Sequence, residues 1–167
     1  MTLRLILLRH AKSGWDDPIA TDHARTLTER GRTAARQIGT WLRDEGYGPD
    51  TILCSDATRT RQTVDGLVET LGHRPETKHL PGLYHAAPDV ILQTIRRSGD
   101  ARTLLVCGHN PGIADLAGRL VTDPPSHPRF ADYPTAATTV ISCDVPTWSQ
   151  VSTGTFTAFV TPADLTV

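Results

Sequence analysis

The apolar run from Leu3 to Leu8, interrupted only by Arg4, stops abruptly on Arg9-His10-Ala11-Lys12. Leu3, Leu5, Ile6, Leu7 and Leu8 form the pattern of a short strand buried on both faces, as in the middle of a parallel sheet. Such a strand accommodates an arginine and a histidine only where the chain leaves the core. In open α/β sheets the carboxyl ends of the strands are where ligands bind. Arginine brings a permanently charged planar fork suited to phosphate or carboxylate. Histidine brings an imidazole able to act as nucleophile or proton carrier near neutral pH. Within this peptide alone, a solvated arginine and a strand-capping histidine would look the same.

Two further apolar segments end in the same way. Thr51-Ile52-Leu53-Cys54 runs into Ser55-Asp56-Ala57-Thr58-Arg59, and Thr103-Leu104-Leu105-Val106-Cys107 runs into Gly108-His109-Asn110-Pro111-Gly112. Three strands would thus deliver Arg9 and His10, Ser55 and Arg59, and His109 to one edge of a sheet. Helical periodicity fills the intervals. Thr28 is placed as an N-cap, with Glu29 in the first turn where the dipole favours it and Ala34, Ile38, Trp41 and Leu42 on one face. Val64, Leu67, Val68 and Leu71 form a second stripe ending at Gly72. A third helix starts at Pro88, carries Ile91, Thr94 and Ile95 inward and ends near Gly99. A fourth has Pro111 in its first turn, with Ile113, Leu116, Ala117 and Leu120 inward. A weak strand is expected at 77–80 and two late ones at 138–143 and 155–160. This alternation predicts an α/β fold, a three-layer α/β/α arrangement with a mostly parallel central sheet. Residues 1–167 contain no repeat, linker or low-complexity stretch, and read as a single domain. A loop with four prolines spans Asp123 to Pro134.

Seventeen Lys and Arg against eighteen Asp and Glu give a formal net charge of −1, which argues against a nucleic-acid-binding surface. The three cysteines, Cys54, Cys107 and Cys143, are odd in number, and two lie inside expected core strands. They read as reduced, buried thiols of a cytoplasmic protein. No Cys-x-x-Cys or His-x-x-x-His pairing suggests a metal, and no cofactor is expected. The opening apolar stretch is too short for a membrane span or signal peptide, so no membrane partner is expected.

Four segments occur in order: Leu8-Arg9-His10-Ala11-Lys12-Ser13, Arg25-Thr26-Leu27-Thr28-Glu29-Arg30-Gly31, Ser55 through Thr63, and Gly108-His109-Asn110-Pro111-Gly112. In this the chain resembles the histidine phosphatase superfamily, with its phosphoglycerate-mutase-like fold, and within it the SixA-type phosphohistidine phosphatases. The resemblance covers residues 3 to about 121. It implies that His10 is a nucleophile that accepts a phosphoryl group, that Arg9 and Arg59 hold the phosphoryl oxygens, and that His109 is a second phosphate ligand. Arg25 corresponds to the arginine before the Leu-Thr pair and is implied to contact phosphate. Arg61 competes with Arg59, but residues two apart on a helix point about 200° apart, so only one faces the site. The matched spacing selects Arg59.

Many members of the superfamily carry a glutamate acid after a Leu-Tyr pair. Here Leu83-Tyr84 is followed by His85-Ala86-Ala87, and Asp89 falls on the helix beyond. An alcohol leaving group needs a proton, whereas a phosphorylated imidazole can be protonated on its ring before cleavage. The resemblance therefore implies a metal-independent phosphatase for protein phosphohistidine. His85, Asp16 or Asp22 remain open as substitutes for the missing acid. A phosphatase for a small phosphorylated substrate and a non-catalytic phosphate- or phosphoprotein-binding module are the competing expectations.

Overall fold

The computed structural model describes residues 2–166. β1 (Leu3–Arg9) lies inside a six-stranded sheet of order β3-β2-β4-β1-β5-β6, where β2 is Thr51–Ser55, β3 Glu76–Leu80, β4 Thr103–Gly108, β5 Thr138–Cys143 and β6 Thr155–Val160. β1, β2, β3 and β4 run parallel, and β5 pairs antiparallel with both β1 and β6. Successive strand side chains point to opposite faces. Leu3, Leu5 and Leu7 accordingly join Leu104 and Val106 in one core, against Ile91, Ile95, Ile113 and Leu116. Ile6 and Leu8 join Ile52, Cys54, Leu105 and Cys107 in the other, against Ile38, Leu42, Val64 and Leu67. The helices carrying these residues are α1 (Glu29–Asp44), α2 (Thr58–Leu71), α3 (Pro88–Arg96) and α4 (Gly112–Leu120), with a short α5 (Pro162–Leu165).

Local signals set most boundaries. The Thr28 side chain accepts from the Gly31 amide at 3.0 Å, completing the cap of α1. Gly72 takes a left-handed φ of 91° where α2 stops. Three expectations shift. Pro111 precedes α4 as its N-cap rather than lying in its first turn. α3 ends at Arg96, and its buried face is Ile91, Leu92 and Ile95. Thr94 instead bonds back to the Val90 carbonyl at 2.9 Å, as hydroxyl side chains do on a helix flank. The proline-rich loop is anchored through Tyr133, which is fully buried and donates its hydroxyl to the Leu7 carbonyl at 2.6 Å.

The register levels the three strand ends that matter. Arg9 pairs with Gly108, and Cys54 pairs with Cys107. His10, Ser55 and His109 therefore emerge side by side at the carboxyl edge.

Candidate active site

His10 leaves β1 with its amide donating to the Gly108 carbonyl at 3.1 Å. The next amide, of Ala11, donates to Thr63 Oγ1 at 2.9 Å, and that hydroxyl donates to the Arg59 carbonyl at 2.7 Å. One threonine thus ties the turn carrying His10 to the turn of α2 carrying Arg59. His10 Nδ1 lies 2.7 Å from the Ala11 carbonyl, an acceptor only, so Nδ1 bears the hydrogen. Nε2 is left with its lone pair. The ring is buried, and its pKa is pushed down to about 3, by burial first and then by Arg59, Arg9 and Arg25. His10 is therefore a neutral imidazole at physiological pH.

His109 faces it, with ring centroids 5.4 Å apart. Its Nε2 lies 2.8 Å from Ser55 Oγ, which the level strand ends allow. Its pKa is also pushed down to about 3, by burial and then by His10 and Arg59. Arg9 donates from Nη1 to the Tyr133 carbonyl at 3.2 Å, and Asn110 Nδ2 donates to the same oxygen at 2.9 Å. Arg59 is only 1% exposed and is clamped on one side by Asp22: Nη1 donates to its carbonyl at 2.7 Å and Nη2 to Oδ2 at 3.1 Å. Arg25 lies at the rim, donating to Ser13 Oγ at 3.0 Å and to Asp22 Oδ1 at 3.1 Å, with its guanidinium 4.1 Å above the Trp15 ring. Arg61 turns away, exposed and donating to the Asp56 carbonyl at 2.9 Å.

Three buried nitrogens at this edge, Arg9 Nε, Arg59 Nε and His109 Nδ1, make no hydrogen bond with the chain. A buried donor without a partner costs roughly 1–3 kcal/mol. Two guanidinium groups with unused donors and an imidazole with an uncommitted ring nitrogen suit a tetrahedral oxyanion. Among the described residues no three His, Cys, Asp or Glu side chains group as a metal site.

Asp22 emerges as the hub of the rim. Besides Arg59 and Arg25, its carboxylate accepts from the Tyr84 hydroxyl and from His85 Nε2 at 3.0 Å. Burial alone would raise its pKa, but these hydrogen bonds and the Arg59 charge hold it well below the usual carboxylate range. Asp22 is thus ionised and bound as an acceptor, unsuited to giving a proton. His85 takes a left-handed φ of 51°, a conformation costing of order 1–3 kcal/mol for a residue with a side chain. The following residue, Ala86, has its carbonyl against the α carbon of Gly112, where a Cβ would collide. The absence of a side chain at Gly112 lets this loop rest directly on the start of α4.

Sequence reasoning named Asp22 only as a substitute acid and passed over Tyr84, Thr63 and Tyr133 as functional supports. The contacts that give them these roles, Tyr84 with Asp22, Thr63 with Ala11 and Tyr133 with Leu7, each span more than 50 residues, so no local pattern marks them. Thr63 carried a signal as the last residue of a matched segment, and Tyr84 as the second residue of the matched Leu-Tyr pair.

A family model, the histidine phosphatase superfamily (branch 1), matches residues 5–84. A protein of Mycobacterium tuberculosis (strain H37Rv) with no assigned function is 45% identical over 111 residues, covering 66% of this chain and 67% of that one. A solved structure assigned as a phosphohistidine phosphatase SixA from Nakamurella multipartitia superposes with a TM-score of 0.82 at 29% identity, covering 97% of each chain. The protein histidine phosphatase SixA complexed with tungstate gives a TM-score of 0.81 at 22% identity, over 98% of this chain and all of that one, a likeness of fold.

Proposed function

Because this chain belongs to the histidine phosphatase superfamily, we propose that it is a phosphatase acting through a phosphohistidine on His10, with protein phosphohistidine as its substrate. The observation that carries this reading is the pairing of a fixed, neutral His10 with two buried guanidinium donors lacking partners, Arg9 Nε and Arg59 Nε, and an unpartnered ring nitrogen, His109 Nδ1. In the first step His10 Nε2 attacks phosphorus, and the bond from phosphorus to the substrate's ring nitrogen breaks. Arg9, Arg59 and His109 meet the charge on the equatorial oxygens, which positioned donors stabilise more in the transition state than in water. In the second step water attacks the phosphorus on His10 and inorganic phosphate leaves. Because Nδ1 stays hydrogen-bonded to the Ala11 carbonyl, the ring keeps its orientation through both steps. Arg25 at the rim is a further phosphate contact in this scheme.

The protein substrate is supported by the likeness to SixA-type structures and by the mouth of the site. Trp15 is 64% exposed and Ile19 is 89% exposed on the loop that supplies Asp22 and Arg25. Apolar side chains held in water beside a phosphate site suit coverage by a polypeptide. The decisive test offers phosphohistidine on a carrier protein and a set of sugar phosphates to the enzyme in EDTA, with intact-mass detection of the phosphoenzyme. Preferential loss of the protein phosphoryl group, with a phosphorylated His10, is the expected result. Preference for sugar phosphates would overturn the substrate, and absence of any phosphoenzyme would overturn the mechanism.

A further inference from the structure

We infer that His85 is the proton donor to the leaving group, held for that task by the Asp22 carboxylate. The inference rests on the phosphoryl-transfer reading of His10 and adds to it the residue that completes the reaction. In-line displacement puts the leaving atom on the side of phosphorus opposite the nucleophile. A donor must therefore stand across the site from His10. The His109 ring is a neighbour of both, 5.4 Å from His10 and 4.9 Å from His85, whereas His10 and His85 make no ring contact with each other among the described residues.

The hydrogen-bond pattern fixes which nitrogen can act. Asp22 is an ionised acceptor, so His85 Nε2 carries a hydrogen and gives it to Oδ2 at 3.0 Å. His85 Nδ1, on the other side of the ring, makes no hydrogen bond among the described residues. A histidine anchored through one nitrogen by a carboxylate, with the other free at the mouth of a phosphate site, is arranged as a proton carrier.

The surroundings keep the ring there. Tyr84 packs against it at 4.3 Å between centroids and donates its hydroxyl to the same Asp22 carboxylate. The left-handed backbone at His85 and the seat of Ala86 on Gly112 give the loop little freedom to swing. The two other acids considered are excluded by their settings. Asp22 is committed to four donors, and among the described residues Asp16 forms no hydrogen bond or ion pair with His10, His109, Arg9 or Arg59.

The proton balance closes over both steps. As His10 Nε2 bonds to phosphorus, the bond from phosphorus to the leaving nitrogen or oxygen breaks, and His85, entering the step as an imidazolium with hydrogens on both ring nitrogens, passes its Nδ1 proton to that atom. In the second step the attacking water gives a proton to His85 Nδ1 and its hydroxyl to phosphorus. The bond to His10 breaks, phosphate leaves, and His85 is again protonated.

The test compares 4-nitrophenyl phosphate with phenyl phosphate, similar in shape but different in leaving-group basicity. His85→Asn is the first variant, because asparagine tolerates a positive φ; His85→Gln is the second, in case the first folds poorly. The expected result is a rise of roughly 10²-fold or more in the ratio of kcat/KM for the nitrophenyl over the phenyl ester, with the loss in kcat, since positioned proton transfer contributes about 10²–10⁴-fold. An unmoved ratio in both variants, whether turnover is kept or lost, would overturn the inference. A phosphoenzyme formed by the wild type, together with an unmoved ratio, would refute the role of His85 alone. A wild type that forms no phosphoenzyme would refute the reading it rests on.

Discussion

Replacing Asp22 with asparagine keeps the shape of the side chain and removes its charge. The carboxylate takes Arg59 Nη2 at 3.1 Å, Arg25 at 3.1 Å, His85 Nε2 at 3.0 Å and the Tyr84 hydroxyl. A hydrogen bond to a charged group is worth about 1.5–3 kcal/mol when shielded. The Asp22 side chain is 36% exposed, so only the bond to Arg59, itself 1% exposed, escapes strong solvent screening. The net cost is about 2 kcal/mol at neutral pH, which for a chain of 167 residues is a fall of roughly 4–8 °C in Tm. The pH dependence separates charge from shape. A carboxyl whose pKa is lowered on folding contributes stability that is complete above its unfolded value, about 3.9, and fades as pH falls toward the folded value. The gap between wild type and Asp22→Asn should therefore hold from pH 7 to about 5 and shrink below 4, by up to about 1.4 kcal/mol per unit. Urea unfolding of both proteins at each pH measures it. A gap that stays constant down to pH 3 would mean the carboxylate charge does not hold Arg59, and the assignment of Asp22 as the hub would fail.

His10→Ala should abolish turnover and the phosphoenzyme while the protein still unfolds cooperatively; retained activity would refute the covalent mechanism. With their pKa values pushed down to about 3, neither His10 nor His109 should titrate near 6.5. Stability should accordingly fall as pH drops below about 6.5, because the unfolded histidines bind protons the folded ones refuse. Ring NMR signals of His10 or His109 with a midpoint near 6.5 would refute their burial in this form. Arg59→Lys should cost roughly 10²-fold or more in kcat/KM, since lysine lacks the planar fork, whereas Arg61→Ala should change it less than about twofold, as expected of an exposed residue. Equal losses in the two would show that Arg61 also serves the site.

The parts legible in the sequence are those encoded by short-range pattern. The unbroken apolar face of β1 specifies a strand covered on both sides, and the two cores divide its residues by parity. Thr28 and Gly72 mark helix ends because capping is a local interaction. Strand order is not local. Nothing in Thr138–Cys143 announces that it pairs antiparallel with β1, since strand composition does not name the partner. The same limit applies to the site. His10, Arg59 and His109 follow strand ends and stand out, but Asp22 lies in a loop rich in charge and acquires its role only when α2 and Tyr84 arrive beside it. Tyr133 reads as one more aromatic in a proline-rich loop, although its hydroxyl and carbonyl fasten that loop to β1 and to Arg9.

The level register of β1, β2 and β4 bears on how the protein can be assayed. His10 needs Gly108 beside it, His109 needs Ser55, and Arg9 needs the Tyr133 carbonyl from the segment leading into β5. No single hairpin or helix pair contains a working fragment of the site. Turnover is thus a gauge of the whole sheet: during refolding, activity should return with the slowest spectroscopic phase, and a preparation with a frayed β5 should lose catalysis while most of its helix signal remains.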